Sequence, residues 1–187
     1  MDWPLSQANK KLNLTLFKKI IMKKIFLLFV ITMASISCSN AQKKEFSKKA
    51  LKGILTNSDN KEVTFKEVLE KYKGKTLVVE VWASWCGDCV GAMPKVKELQ
   101  ANNPEVAYVF ISMDKTFDKW KAGIEKHQIK GDHYWVNDVD GMKGAFGKSI
   151  NLDWIPRYMV INKNGSIAIY RAIETDFDKI NTTLKTL

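Results

Sequence analysis

Two of the three cysteines, Cys86 and Cys89, are separated by two residues in the segment Trp-Cys-Gly-Asp-Cys at 85–89. This segment lies between a predicted buried strand and a predicted helix. The first cysteine of such a pair is expected to be accessible and to face the positive end of the helix, where a thiolate is stabilised. Thiol–disulfide exchange needs an attacking thiolate and a second thiol that resolves the mixed disulfide. We therefore predict Cys86 as the nucleophile, Cys89 as the resolving thiol, and no cofactor besides their redox-active disulfide.

Two other uses of a cysteine pair fit the sequence less well. A zinc site needs two further ligands, and the only histidines, His127 and His133, lie far outside zinc-finger spacing. We therefore predict no metal. A purely structural disulfide between residues 86 and 89 would close too short a loop to constrain the unfolded chain strongly. A binding module whose disulfide is inert stays open as an alternative from another functional class.

The elements that must position the pair follow from hydrophobic patterning. Residues 76–82 form a near-continuous apolar run rich in β-branched side chains, which is typical of a strand buried on both faces. The other predicted elements are edge strands at 53–55 and 62–63, further strands at 106–113, 133–136, 158–161 and 166–171, and helices at 64–74, 86–102, 116–127, 141–147 and from 176 onward. Thr64, with Glu67 three residues on, predicts a capping box at the first of these helices, and Asp176 is predicted to cap the last. This order predicts the α/β fold class, with a central mixed β-sheet flanked by helices on both faces.

A family resemblance is carried by residues 79–89, Val-Glu-Val-Trp-Ala-Ser-Trp-Cys-Gly-Asp-Cys, which resemble the active-site segment of the thioredoxin superfamily. Lys73-Gly74-Lys75 resembles the TlpA/ResA-like branch, and Pro94 matches the proline that kinks the active-site helix of the family. The resemblance extends over about residues 50–187. It implies a thioredoxin fold and a thiol–disulfide oxidoreductase tethered to the membrane of the bacterial cell envelope and facing the periplasm.

The resemblance also implies a substrate site and partners. Ile155-Pro156 precedes the late hairpin, where the family carries a cis-proline facing the cysteines. The sequence alone does not predict a cis bond, because only about one X-Pro bond in twenty is cis in folded proteins. With a cis bond, the backbone of Ile155 would pair with an extended substrate strand. The expected partners are protein disulfide substrates and a membrane thiol that donates electrons. A peroxiredoxin-like peroxidase is the enzymatic alternative, although such enzymes place the attacking cysteine without a partner two residues on.

Glu80 is a carboxylate within an otherwise apolar strand. Burial is expected to raise its pKa and to let it exchange a proton with Cys89, which makes it a candidate catalytic residue. The alternative is a carboxylate at a strand end that reaches solvent.

Asp88 stands where many relatives have proline. A carboxylate about 6 Å from the Cys86 sulfur would oppose the thiolate by roughly 0.7–2.8 kcal/mol. Because the reduced form is then less stable, the couple would become more reducing. Gly87 and Trp85 belong to the same segment that we predict to tune the couple, and we expect Trp85 to pack around the site.

Residues 1–41 are predicted to be an export signal. Lys23 and Lys24 precede an apolar run at 25–36, which is shorter than the roughly twenty residues that span a bilayer. Met22 is the predicted true start, because residues 1–21 add lysines but no apolar core.

The cleavage site has two interpretations. Ser35-Ile36-Ser37-Cys38 resembles a lipobox, in which Cys38 would become the lipidated first residue of a lipoprotein. Cleavage after 39–41, a small-x-small site, is the alternative.

Residues 42–52 are lysine-rich and are predicted to be a tether. Residues 53–187 are predicted to be the thioredoxin-like domain.

The formal net charge of +10 does not indicate a nucleic-acid partner. Half of it lies in residues 1–41. The other lysines alternate with acidic residues, as at 66–67 and 125–126, which is typical of solvated helix faces. Because no basic cluster is interleaved with aromatic residues, we predict no nucleic-acid binding.

Overall fold

The computed structural model describes residues 22–23 and 44–187. Met22 and Lys23 are helical, and the rest of the predicted export signal, with Cys38, lies outside the described residues. The strands are β1 (Ile54–Asn57), β2 (Glu62–Thr64), β3 (Leu77–Trp82), β4 (Ala107–Ser112), β5 (Asp132–Trp135), β6 (Arg157–Ile161) and β7 (Ile167–Ala172). The helices are α1 (Lys48–Leu51), α2 (Phe65–Lys71), α3 (Gly87–Asn102), α4 (Phe117–His127), α5 (Ala145–Ser149) and α6 (Phe177–Leu184), with a 3-10 helix at Gly141–Lys143. None of the described helices is long and apolar enough to cross a bilayer.

The seven strands form one mixed sheet in the order β2-β1-β5-β4-β3-β6-β7. β3 is parallel to β4, and β4 is parallel to β5, whereas β6 and β7 continue the sheet in antiparallel fashion. Every residue of β3 is buried. Because successive side chains of a strand point to opposite faces, both faces of the sheet are covered at β3. The predicted α/β class and mixed sheet are confirmed.

Local sequence signals explain two of the helices. Thr64 and Glu67 form the predicted capping box of α2: the Thr64 hydroxyl accepts from the Glu67 amide at 3.2 Å, and the Glu67 carboxylate accepts from the Thr64 amide at 2.7 Å. On α3, Met93, Val96 and Leu99 are buried at three-residue steps. This stripe fixes which side of α3 faces the core.

The domain begins earlier than predicted. Residues 44–52, predicted to be part of a tether, pack on the domain, and the Lys44 carbonyl accepts from the Ile167 amide of β7 at 2.8 Å. The Phe46 ring lies 4.9 Å from the ring of Phe65, and Ala50 of α1 is fully buried. These apolar side chains, which the lysine-rich composition obscured, account for the difference.

β1 also differs from its predicted position at the edge of the sheet. It pairs with β2 on one side and with β5 on the other, so that β2 alone forms that edge. The sequence does not show this arrangement, because the partner strand β5 follows far along the chain.

Candidate active site

The cysteine pair lies where β3 passes into α3. Cys86 is the N-cap residue of α3, and its sulfur accepts a hydrogen bond from the Cys89 amide at 3.1 Å. The two cysteines form a disulfide. Cys86 retains 7% exposure, whereas Cys89 has none. Cys86 therefore keeps a small exposed surface, whereas Cys89 is fully shielded. The helix N-terminus offers an amide and a positive dipole to a thiolate on Cys86.

Topology brings three segments of the chain to the same edge of the sheet. Cys86 follows the carboxyl end of β3, and Met142 comes after the parallel strand β5. Because β6 is antiparallel to β3, the residues that precede β6, Trp154 and Ile155, meet Cys86 at that edge. Together with Trp85 and Asp88, these residues line an open cavity of about 260 Å³. Cys86 is more buried than predicted, because it lies among side chains from distant parts of the chain.

The Ile155–Pro156 peptide bond is cis, as the resemblance implied. The Ile155 carbonyl oxygen lies 3.6 Å from the Cys86 sulfur, so the proline loop faces the cysteine pair. In the reduced protein this carbonyl can accept a hydrogen bond from the Cys86 thiol. The role of Ile155 and Pro156 in substrate binding stays a prediction.

Glu80 is buried in the middle of β3, with 1% of its surface exposed. Tyr158 of β6 donates a hydrogen bond to one carboxylate oxygen at 3.2 Å, and the other oxygen has no hydrogen-bond partner in the described part of the chain. Burial raises the pKa of Glu80 to about 8, against the weaker opposite effect of the Tyr158 hydrogen bond. The alternative of a solvated carboxylate at a strand end is wrong. Proton exchange with Cys89 remains a prediction.

Asp88, Gly87 and Trp85 surround the pair in different ways. Asp88 is exposed in the first turn of α3, where a negative charge favours the helix. No atom would contact a Cβ on Gly87 within 4 Å, so packing does not require glycine there. Trp85 is 56% exposed, and the prediction that it packs around the site is therefore wrong in part: it lines the cavity but remains in contact with solvent.

Neutralising Asp88 is expected to make the Cys86–Cys89 couple more oxidising. Asp88→Asn removes a charge that opposes the thiolate, so the reduced form gains stability. Asp88 is exposed and water screens it, which favours the lower end of the predicted range. A shift on the order of 10–30 mV follows, since about 30 mV corresponds to 1.4 kcal/mol in a two-electron couple. A glutathione redox titration measures it. An unchanged potential would show that Asp88 only stabilises the start of α3 and does not tune the couple.

Sequence reasoning missed Asp114, which lies two residues after the end of β4 and is 1% exposed. Its carboxylate accepts from the Ser84 hydroxyl at 2.7 Å, the Ser84 amide at 3.1 Å and the Ser112 hydroxyl at 2.8 Å. The Asp114 carbonyl accepts from the Trp135 indole at 2.7 Å. Asp114 therefore fixes the loop that leads to Cys86. An aspartate at the carboxyl end of a buried strand is the sequence signal that points to it.

Sequence reasoning also missed the charged cluster beside Pro156. Arg157 is 1% exposed and pairs with Asp153, which also pairs with Arg171 of β7. The cluster holds the loop that carries Trp154 against the sheet.

Among residues 22–23 and 44–187, no group of three or more His, Cys, Asp or Glu side chains is arranged to hold a metal ion.

A cysteine pair at the start of the helix after a central strand, facing a cis-proline loop, defines the thioredoxin-like class. The Redoxin family model matches residues 39–184, and the chain belongs to this family. Within the thioredoxin superfamily it is a TlpA/ResA-like member, as predicted.

Relatives and solved structures agree with this assignment. Thiol-disulfide oxidoreductase ResA of Bacillus thuringiensis is 24% identical, with 78% of this chain and 87% of the relative covered. Soluble secreted antigen MPT53 of Mycobacterium tuberculosis is 26% identical over 50% of this chain and only 51% of its own length. A thiol-disulfide oxidoreductase structure from Bacteroides fragilis superposes with a TM-score of 0.59 at 21% identity, covering 72% of this chain and 96% of that one. These structural likenesses show the fold.

Proposed function

We propose that this protein is a thiol–disulfide oxidoreductase that reduces or exchanges disulfides of proteins in the bacterial cell envelope. The observation that carries the proposal is the Cys86–Cys89 disulfide at the N-terminus of α3, in which Cys86 lines an open cavity and Cys89 has no exposed surface. Such an asymmetric pair can attack a substrate disulfide with one sulfur and then resolve the mixed disulfide with the second.

In the reductive direction, the Cys86 thiolate attacks one sulfur of a substrate disulfide, and the other substrate sulfur leaves as a thiolate. Cys89 then loses its proton to Glu80 and attacks the Cys86 sulfur. The Cys86–Cys89 disulfide forms, the second substrate thiolate leaves, and two electrons have passed to the substrate. A dithiol donor reduces the pair again. Glu80 suits the proton transfer, because a pKa of about 8 lies near that of a thiol.

The proline loop supports binding of an extended substrate segment. Ile155 is next to the Cys86 sulfur, so a segment paired with the Ile155 backbone would bring its own cysteine within reach. Backbone pairing of this kind gives affinity with little dependence on sequence.

The cell envelope is proposed from the predicted export signal together with one relative, MPT53, which is described as a secreted antigen. A membrane thiol is the proposed electron donor.

The direct test is catalysis of insulin reduction by dithiothreitol, combined with a redox titration. We expect the protein to accelerate insulin precipitation and to show a reversible midpoint potential within the range of known exchange catalysts, about −120 to −270 mV. An inert structural disulfide would stay oxidised under these conditions and would leave the insulin rate unchanged, which would refute the proposal.

We further propose lipidation at Cys38. Intact-mass spectrometry of the mature protein is expected to show a diacylated N-terminal Cys38, and Cys38→Ala is expected to release the protein from the membrane fraction. A mature protein that begins at Gln42 with a free amine would instead establish ordinary cleavage after residue 41.

A further inference from the structure

Two exposed tryptophans line the same cavity as Cys86. Trp85 and Trp154 are 56% and 55% exposed, and both line the cavity beside Cys86. Large aromatic side chains are enriched at binding interfaces, where they supply most of the contact energy. An apolar surface that is continuous with the reactive sulfur therefore points to the substrate as its occupant.

We propose that this cavity, which we call the Trp154 pocket (Trp85, Met142, Trp154 and Ile155 around Cys86), binds a large apolar side chain adjacent to the reacting cysteine of the substrate protein. Trp154 and Met142 thereby select substrates by sequence, in addition to the backbone pairing at Ile155. The inference rests on the proposed function, because the occupant is the segment whose disulfide reaches Cys86. The exchange steps are unchanged, and the pocket contributes binding.

The size and chemistry of the Trp154 pocket favour an amino-acid side chain over a small-molecule ligand. Its volume of about 260 Å³ lies below the roughly 300–1,000 Å³ of pockets that enclose drug-sized ligands. Among the described residues, Asp88 is the only charged side chain that lines it, and the other lining side chains are largely apolar. An organic cofactor would need several convergent polar groups, which this lining does not supply.

The walls of the pocket are held in place before a substrate arrives. Asp153, the neighbour of Trp154, pairs with both Arg157 and Arg171. A Cβ at position 147 would lie 2.0 Å from the Met142 carbonyl oxygen, so glycine at 147 permits the close approach that positions Met142. A fixed pocket loses little entropy on binding, which increases its contribution to selectivity.

The test compares model peptides that contain the same intramolecular disulfide and differ only in one residue next to a cysteine. One peptide of each pair carries leucine next to a cysteine and the other carries asparagine, with the pair made once for each side of the cysteine. All peptides have equal net charge, because Asp88 would otherwise bias the comparison. We expect kcat/KM to be about tenfold higher for the leucine peptide than for the asparagine peptide on at least one side of the cysteine. A tenfold difference is the scale expected when part of an apolar side chain is buried.

Trp154→Ala and Met142→Ala are expected to lower this leucine-to-asparagine ratio to about two or less. Trp154→Phe is expected to retain most of it. The ratio is taken within one variant, so a general loss of activity cancels. Ile54→Ala, which removes an exposed apolar side chain on β1 outside the pocket, is the matched control and is expected to keep the wild-type ratio.

A wild-type ratio near one on both sides of the cysteine, or an unchanged ratio in Trp154→Ala and Met142→Ala, would overturn the inference. Bis(2-hydroxyethyl) disulfide, a small polar substrate, separates the two failures. If the protein reduces it but does not distinguish the peptides, the pocket proposal fails and the proposed function stands. If the protein reduces no disulfide at all, both fail.

Discussion

Cys86→Ala is expected to abolish the catalysed reduction of insulin, leaving only the background rate of dithiothreitol. Cys89 cannot replace the nucleophile, because it has no exposed surface and lies inside the first turn of α3. The loss is expected to be at least 100-fold, since the cysteine that remains among the described residues, Cys89, is fully buried. The measurement is the initial rate of insulin precipitation.

Cys89→Ser gives the complementary result. The Cys86 thiolate still attacks, but the mixed disulfide with the substrate has no thiol to resolve it, so a covalent complex accumulates. Non-reducing gels of cells that express this variant are expected to show adducts that dithiothreitol releases, and mass spectrometry identifies the trapped proteins. Adducts that persist in the double variant Cys86→Ala/Cys89→Ser, or insulin reduction by Cys86→Ala, would remove Cys86 from the mechanism.

The free energy of unfolding of the oxidised protein is expected to fall between about pH 5 and pH 8 because of Glu80. In the unfolded chain this carboxyl ionises near its ordinary pKa of 4.5, whereas in the folded protein burial raises the pKa to about 8. Between these values folding takes up a proton, so stability decreases as the pH rises and levels off above about pH 8. At 1.4 kcal/mol per pH unit, the total is on the order of 5 kcal/mol.

Glu80→Gln removes this titration, and its unfolding free energy is expected to vary much less over the same pH range. Urea unfolding of the oxidised proteins from pH 5 to 9 measures the difference, and the disulfide keeps both cysteines from titrating. Glu98→Gln, at an exposed carboxylate on α3, is the control and should retain the wild-type slope. Equal slopes for wild type and Glu80→Gln would show that Glu80 is not a buried acid with a raised pKa.

In catalysis, Glu80→Gln is also expected to slow resolution of the mixed disulfide by Cys89 by roughly 100-fold.

The sequence predicts well those features that depend on neighbouring residues. β3 spans Leu77–Trp82 against the predicted 76–82, because a continuous apolar run leaves few alternatives. The capping box at Thr64 needs residues only three apart. The cysteine pair is also predicted well, because its spacing and its position at a helix start depend only on neighbouring residues.

Features that depend on distant residues were missed or misplaced. The partial burial of Cys86 depends on Met142 and Trp154, which the topology brings to the same edge. The role of Asp114 depends on Ser84 in another loop. Asp176 begins α6 as predicted, but its carboxylate accepts from the Ile173 amide and makes no hydrogen bond to the helix. Such pairings are determined by tertiary structure, which no local pattern specifies.

The arrangement of the sheet also has a consequence for local opening of the native state. In the described part of the chain, the hairpin of β1 and β2 pairs with the rest of the sheet only through Thr56 and Asn57, whereas β3 pairs with β4 along its whole length. Short ladders at the end of a sheet separate from it at lower free energy than central ones. Transient detachment of the hairpin would expose the edge of β5 and leave β3, β4 and β6 paired. The redox site can therefore remain assembled while the opposite end of the sheet opens and closes.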